Sequence, residues 1–291
     1  VKKPQVITII VAAIAVVVLL AFGRTAQKPG TRPAMAMNGQ SQGEPAGDQQ
    51  DMIAGFSIDT VLALSKKELN PDQVLRLDLL EKSITRGDVK KQQIDVYHQL
   101  AHFWRDTAKA FIPFAWYTAQ SARLENSEKN LNFAGQLFLN QLPQQDNEPQ
   151  RHWMAEQAKD LFEKVLALNP ANDSAKVGLG ATYLYGGLGS PMEGIGKIRE
   201  VVEKDSTNVY AQMTLATASL MSGQKEKAKE RLATVLSIQP QNLQAILMLG
   251  DLYEKDGDKS QAIELYSKAA KLVQRKDLRG ELEKRIEELK K

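Results

Sequence analysis

Residues 215–269 read LATASLMSGQKEKAKERLATVLSIQPQNLQAILMLGDLYEKDGDKSQAIELYSKA, and an offset of 34 positions lays the two halves over each other. Leu215-Ala216 answers to Leu249-Gly250, Ala228 to Ala262, Leu232 to Tyr266 and Val235 to Ala269. Gly223 and Gly257 fall between the two apolar runs of each half, and Pro240 closes the first half. The spacing predicts two helices per half. A small residue in each (Ala216 or Gly250, then Ala228 or Ala262) lets the pair approach, and Leu232, Tyr253 and Tyr266 fill the space between neighbouring pairs. Glycine tolerates the positive φ of a tight turn, and proline cannot continue a helix.

On these residues the chain resembles the tetratricopeptide-repeat family, whose unit is a helical hairpin of about 34 residues. Looser copies precede the clear ones. Leu179-Gly180 with Tyr183 matches a first helix, and Gly194, Ile198 and Val201 a second, with the turn YGGLGSP adding about two residues. Ala158, Phe162, Val165 and Pro170 read as a second helix whose partner lies around Phe133-Ala134 and Leu137. Leu100-Ala101 with Trp104 pairs with Ala115, Ala119 and Ala122. The resemblance implies an all-α, right-handed α-solenoid of about five helix pairs over residues 93–275. Residues 51–92, with Asn70-Pro71 as their turn, are expected to form a capping hairpin. Residues 276–291 are expected to form the polar helix that an array needs to cover its last apolar face.

Outside the repeat, Val6 to Phe22 (VITIIVAAIAVVVLLAF) carries no charge. A run of this length is at the short end of what spans a bilayer, so residues 1–23 are expected to be a transmembrane anchor. Lys2 and Lys3 precede the run while Arg24, Lys28 and Arg32 follow it. A short basic tail favours an N-in orientation, which in a bacterium places the body in the periplasm, tethered to the inner membrane. Residues 24–50, rich in Gly, Pro, Gln and Ala, read as a flexible linker.

One face of each first helix is expected to line a concave wall. By register that face carries Val177, Ala181, Leu184, Tyr185, Tyr210, Met213, Thr217, Leu220, Met221, Leu247 and Met248, preceded by Leu131, Phe138 and Leu139. Family members that hold a chaperone's C-terminal carboxylate present Lys and Asn there. Val177, Ala181, Met213, Thr217 and Leu247 stand in those places, so that clamp is absent. An apolar, Met-containing wall suits a partner's helix or unstructured apolar segment.

The residues that could carry chemistry do not assemble into a motif. His98 and His102 share a helix face that the repeat register puts on the concave wall, but two ligands make a poor metal site. GGLG (Gly186 to Gly189) lacks the Gly-Lys-Ser/Thr ending of a phosphate loop and follows a helix. The carboxylates of EKRIEELKK sit three or four residues from Lys or Arg, as helix-stabilising pairs do. The absence of cysteine excludes disulfides and thiolate sites, and a net charge of +3 is too small to argue for nucleic acid. The sequence therefore points to a non-enzymatic protein without cofactor or metal. Its partner would be a protein or peptide, either in an envelope complex that it scaffolds or as an unfolded client of a holdase accessory to protein export.

Overall fold

The computed structural model describes residues 56–86 and 90–291, so the expected anchor (1–23) and linker (24–50) lie outside the described residues. Among the described residues every regular element is helical, and no helix is long and apolar enough to cross a membrane. The helices are α1 (Ile58–Lys67), α2 (Pro71–Arg86), α3 (Lys90–His102), α4 (Phe111–Glu125), α5 (Glu128–Leu139), α6 (Glu148–Leu168) and α7 (Asp173–Gly186). They continue with α8 (Pro191–Lys204), α9 (Val209–Met221), α10 (Lys225–Ile238), α11 (Leu243–Lys255), α12 (Lys259–Leu272) and α13 (Lys276–Leu289). From α3/α4 to α11/α12 they stack as five hairpins: each packs within itself, and its second helix packs on the first helix of the next.

Local signals explain where the helices start and turn. Asn172, Asn208 and Asn242 each accept the backbone N–H three residues on, at 2.9, 3.0 and 3.0 Å, and so cap α7, α9 and α11. Asn70 and Gln73 cap α2 reciprocally, each side chain accepting the other's backbone N–H. Gly223 and Gly257 take φ of 74° and 84° at the tight turns α9–α10 and α11–α12, where a side chain would strain the backbone.

The interior follows the small-residue seams. Gly250 rests on the ring of Tyr266, and Gly180 of α7 meets Gly194 and Ile198 of α8. In the second hairpin the phase differs from expectation. Gly135, one residue beyond the Phe133-Ala134 pair, is the seam residue, and Phe162 of α6 lies against both it and Gly178 of α7. One residue of helix is a rotation of about 100°. Phe133 is therefore 53% exposed, while Leu131, Phe138 and Leu139, expected on the concave wall, are buried in the core.

Both ends are covered. Leu62 of α1, Leu77 and Leu80 of α2 and Leu69 from the turn between them join Val96, Leu100, Trp104 and Tyr117 in one cluster, and Lys66 ties the two helices together through Asp78 (2.5 Å) and Glu81 (3.1 Å). At the other end α13 sends Ile286, Leu282 and Leu289 onto Tyr266 and Ala262. Arg285 bonds Glu254 at 2.7 Å and stands over the Tyr266 ring. The Tyr266 hydroxyl lies 2.5 Å from Asp251 and 2.8 Å from Glu254, so its single proton serves two carboxylates in turn.

Burial raises the Asp251 carboxyl above its ordinary value of 3.8, against the opposing pull of the Tyr266 hydroxyl, Arg285 and Lys255. A carboxyl raised by folding binds its proton more tightly in the folded chain. Its stabilisation is complete below the unfolded value and is lost as pH rises through the folded one. Asp251→Asn stays neutral and keeps an acceptor for Tyr266. It should melt above the parent at pH 7, and the gap should close as pH approaches 4. Thermal melts across that range check this; a variant that melts lower at pH 7 would contradict the assignment.

Candidate peptide-binding groove

The concave wall is built by α3, α5, α7, α9 and α11. It is not one continuous trough, because its middle is closed. There α5 packs directly on α7 and α7 on α9, whereas α3 with α5, and α9 with α11, make little contact. Gln136 of α5 donates to the Tyr210 hydroxyl of α9 at 3.0 Å, reaching across the face of α7. Burial pushes the Tyr185 phenol up to about 12, moderated by its hydrogen bond with Thr217, and raises Tyr210 against the bond from Gln136.

This closure decides what the expected groove residues can do. Val177 is 0% exposed, inside a cluster with Ile198, Val201, Ala211 and Leu215, and Ala181 is buried. Met213 is also buried, packed with Ala216, Leu232 and Leu249. These three are buried in the core: Val177 is covered by residues of α8 and α9, Met213 by residues of α10 and α11, and Ala181 by the cluster of α5 and α6. Leu184, Tyr185 and Tyr210 are half-buried in the closed middle. Thr217 is half-buried on the α7 side of α9, against Tyr185, and half-buried Leu247 packs on the Tyr266 and Ile286 cluster under α13. Leu220 of α9 and Met248 of α11 are half-buried, and Met221 at the end of α9 is 62% exposed. These three form a partly exposed apolar edge at the C-terminal end of the wall.

A second opening lies at the other end, where α3 and α5 diverge. It is a cavity of about 200 Å³ whose lining includes His98, His102, Arg105, Phe114 and Phe133. A π-helical turn, Phe103–Thr107, extends α3 here, and Lys109 at φ 58° ends it. The sequence placed His98 and His102 on the wall, and there they are, but the hollow beside them depends on the π turn and on Phe133 facing outward. His98 contacts Glu125, and His102 contacts Arg105 and Asp106. His152 lies within α6, 3.4 Å from Glu156. Among the described residues no three His, Cys, Asp or Glu side chains gather in a way that could hold a metal ion.

Residues 243–272, the α11/α12 hairpin, match the tetratricopeptide repeat model. No curated protein matches the chain. Among solved structures the chain is similar to MamA from Desulfovibrio magneticus RS-1, at 22% identity and TM-score 0.43 over 64% of this chain and 96% of that one. It is also similar to YrrB, described as a TPR protein with an unusual peptide-binding site, at 18% identity and TM-score 0.39 over 70% and 97%. A third is PilW, a type IV pilus biogenesis factor, at 18% identity and TM-score 0.46 over 62% and 78%.

Proposed function

We propose that this chain is a protein-interaction scaffold that presents the open mouths of a tetratricopeptide stack to a peptide or helix of a partner. The observation that carries this reading is the apolar edge of Leu220, Met221 and Met248 on α9 and α11, where Met221 is 62% exposed. An exposed apolar patch of this kind marks a contact surface, and methionine adapts to irregular partners. The apolar run 6–22 supports a tether at a bacterial inner membrane, with the stack on the periplasmic side serving an envelope complex.

Site-specific photocrosslinking in intact cells tests this. A crosslinker at Met221 should trap one dominant protein, and one at the exposed Lys227 of α10 should not. Met221→Glu should cut that crosslinking, read from a probe at Met248, by about tenfold or more, the scale of burying an unpaired charge at an interface. The variant should keep full helicity, because Met221 is exposed at the end of α9. Equal yields from both faces would remove the groove from consideration. A broad set of unrelated proteins at Met221 would favour the alternative, a holdase accessory to protein export.

A further inference from the structure

α13 sits in a seat that the stack uses repeatedly. Each first helix from α5 to α11 packs on the second helix of the hairpin before it, and α13 packs on α12 in the same way. The connections agree. Residues 205–208 and 239–242 join α8 to α9 and α10 to α11, and residues 273–275 join α12 to α13. Tyr266 and Ala262 of α12, with Leu247 of α11, form an apolar floor that Leu282, Ile286 and Leu289 of α13 cover. An ion pair crosses the same seam: Arg285 Nε donates to Glu254 of α11 at 2.7 Å, and the guanidinium stands over the Tyr266 ring.

α13 is held more lightly than the helices that take this seat inside the stack. α9 buries eight residues and α11 five, whereas α13 buries Ile286 alone. Nine of its fourteen residues are charged, so its apolar contact comes down to a few side chains. Asn208 and Asn242 cap α9 and α11, but no side chain caps the start of α13. Gly280 lies within it, with open space where a Cβ would stand, and glycine inside a helix is less stable than alanine. A helix of this length is marginal in water without its tertiary contacts. Segments with few buried contacts open at a lower free energy than the whole fold.

We propose that α13 is a releasable latch over a docking face for a partner's helix, one that repeats the pattern of Leu282, Arg285, Ile286 and Leu289. The seated α13 itself shows the chemistry that the face accepts. Apolar side chains at i, i+4 and i+7 reach the floor of Tyr266, Ala262 and Leu247. A cation at i+3 replaces Arg285 on Glu254, whose side chain is 23% exposed beside the Tyr266 hydroxyl. A guest without that cation would leave the carboxylate covered and unpaired, which selects against purely apolar helices. The proposal rests on the protein-binding reading above but uses a different surface and different residues.

The probe is a capped, fluorescein-labelled peptide of residues 276–291, titrated with the full chain and followed by anisotropy. While α13 is seated, only the open fraction of the chain takes the peptide, so its apparent affinity is reduced by that fraction. Ile286→Ser in the chain removes the one buried side chain of the latch and should tighten peptide binding about tenfold or more. Gly280→Ala in the chain stabilises the latch and should weaken it about fivefold. Arg285→Glu in the peptide should weaken its binding to the Ile286→Ser chain about tenfold or more. In the parent chain, hydrogen exchange should be faster in α13 than in α9. Equal protection of the two helices, no peptide binding to the Ile286→Ser chain, or affinities indifferent to both chain variants would overturn the proposal. So would a stable dimer of the parent with α13 exchanged between copies, because the seat would then belong to a second copy. Dominant crosslinking at Met221 with the peptide indifferent to these variants would leave the edge on α9 and α11 standing and remove the latch.

Discussion

Phe162→Ala should destabilise the stack by about 3–5 kcal/mol, towards the upper end of large-to-small core changes. The ring is fully buried and lies between two glycines, with Gly135 of α5 on one side and Gly178 of α7 on the other. Neither glycine has a side chain that could turn into the vacated space, so relaxation requires helices to move. The ring also joins two successive hairpins, so its loss weakens the joint between them as well as one hairpin. In a stack stabilised by nearest-neighbour contacts, thermal unfolding followed by circular dichroism should shift down by about 10 °C and broaden or split. Phe162→Leu, which refills part of the volume, should recover part of the loss. A shift of only a degree or two for the alanine variant would mean that the joint does not depend on this ring.

Gly180→Val is expected to be comparably damaging, for the opposite reason. A β-carbon at Gly180 would sit 2.6 Å from the Gly194 carbonyl oxygen and 2.5 Å from Ile198 Cγ1, and one at Gly194 would sit 2.4 Å from the Gly180 oxygen. Here the α7 and α8 backbones themselves meet, and a backbone atom cannot rotate away. Overpacking costs about 1–3 kcal/mol where side chains can give, and a backbone clash belongs at or beyond the top of that range. Replacing helical glycine gains back less than about 1 kcal/mol. Gly196, on the open side of α8 with nothing near it, is the control, since Gly196→Ala should be neutral or slightly stabilising. Equal melting of the Gly180 and Gly196 variants would refute the close approach.

The two glycine sites also show which parts of the fold could be read from residues alone. Gly250 over Tyr266 and Gly180 over Ile198 were legible because a single small residue stands beside a large one at the repeat spacing. The second hairpin was misphased because Ala134 and Gly135 are both small and adjacent, and only the position of Phe162 decides between them. The asparagine caps at 172, 208 and 242, spaced 36 and 34 residues apart, are a start signal that the small-residue pattern passes over. The closed middle of the wall was not readable. It depends on Gln136 meeting Tyr210 across 74 positions, and local periodicity assigns Val177 and Met213 to the concave face without showing that neighbouring helices cover it. His98 and His102 were placed on that face correctly, but the hollow beside them needed a π turn that no spacing rule announces.

The packed middle of the wall, crossed by the bond between Gln136 and Tyr210, lies between two entrances on one frame. Guests at the two doors would not compete for space. One flexible polypeptide carrying a fitting sequence for each could occupy both, and its second docking step would be intramolecular, at an effective concentration reaching about millimolar for a short spacer. Two individually feeble grips would then hold as one firm one, and the length of chain between the two sequences would set which partners qualify.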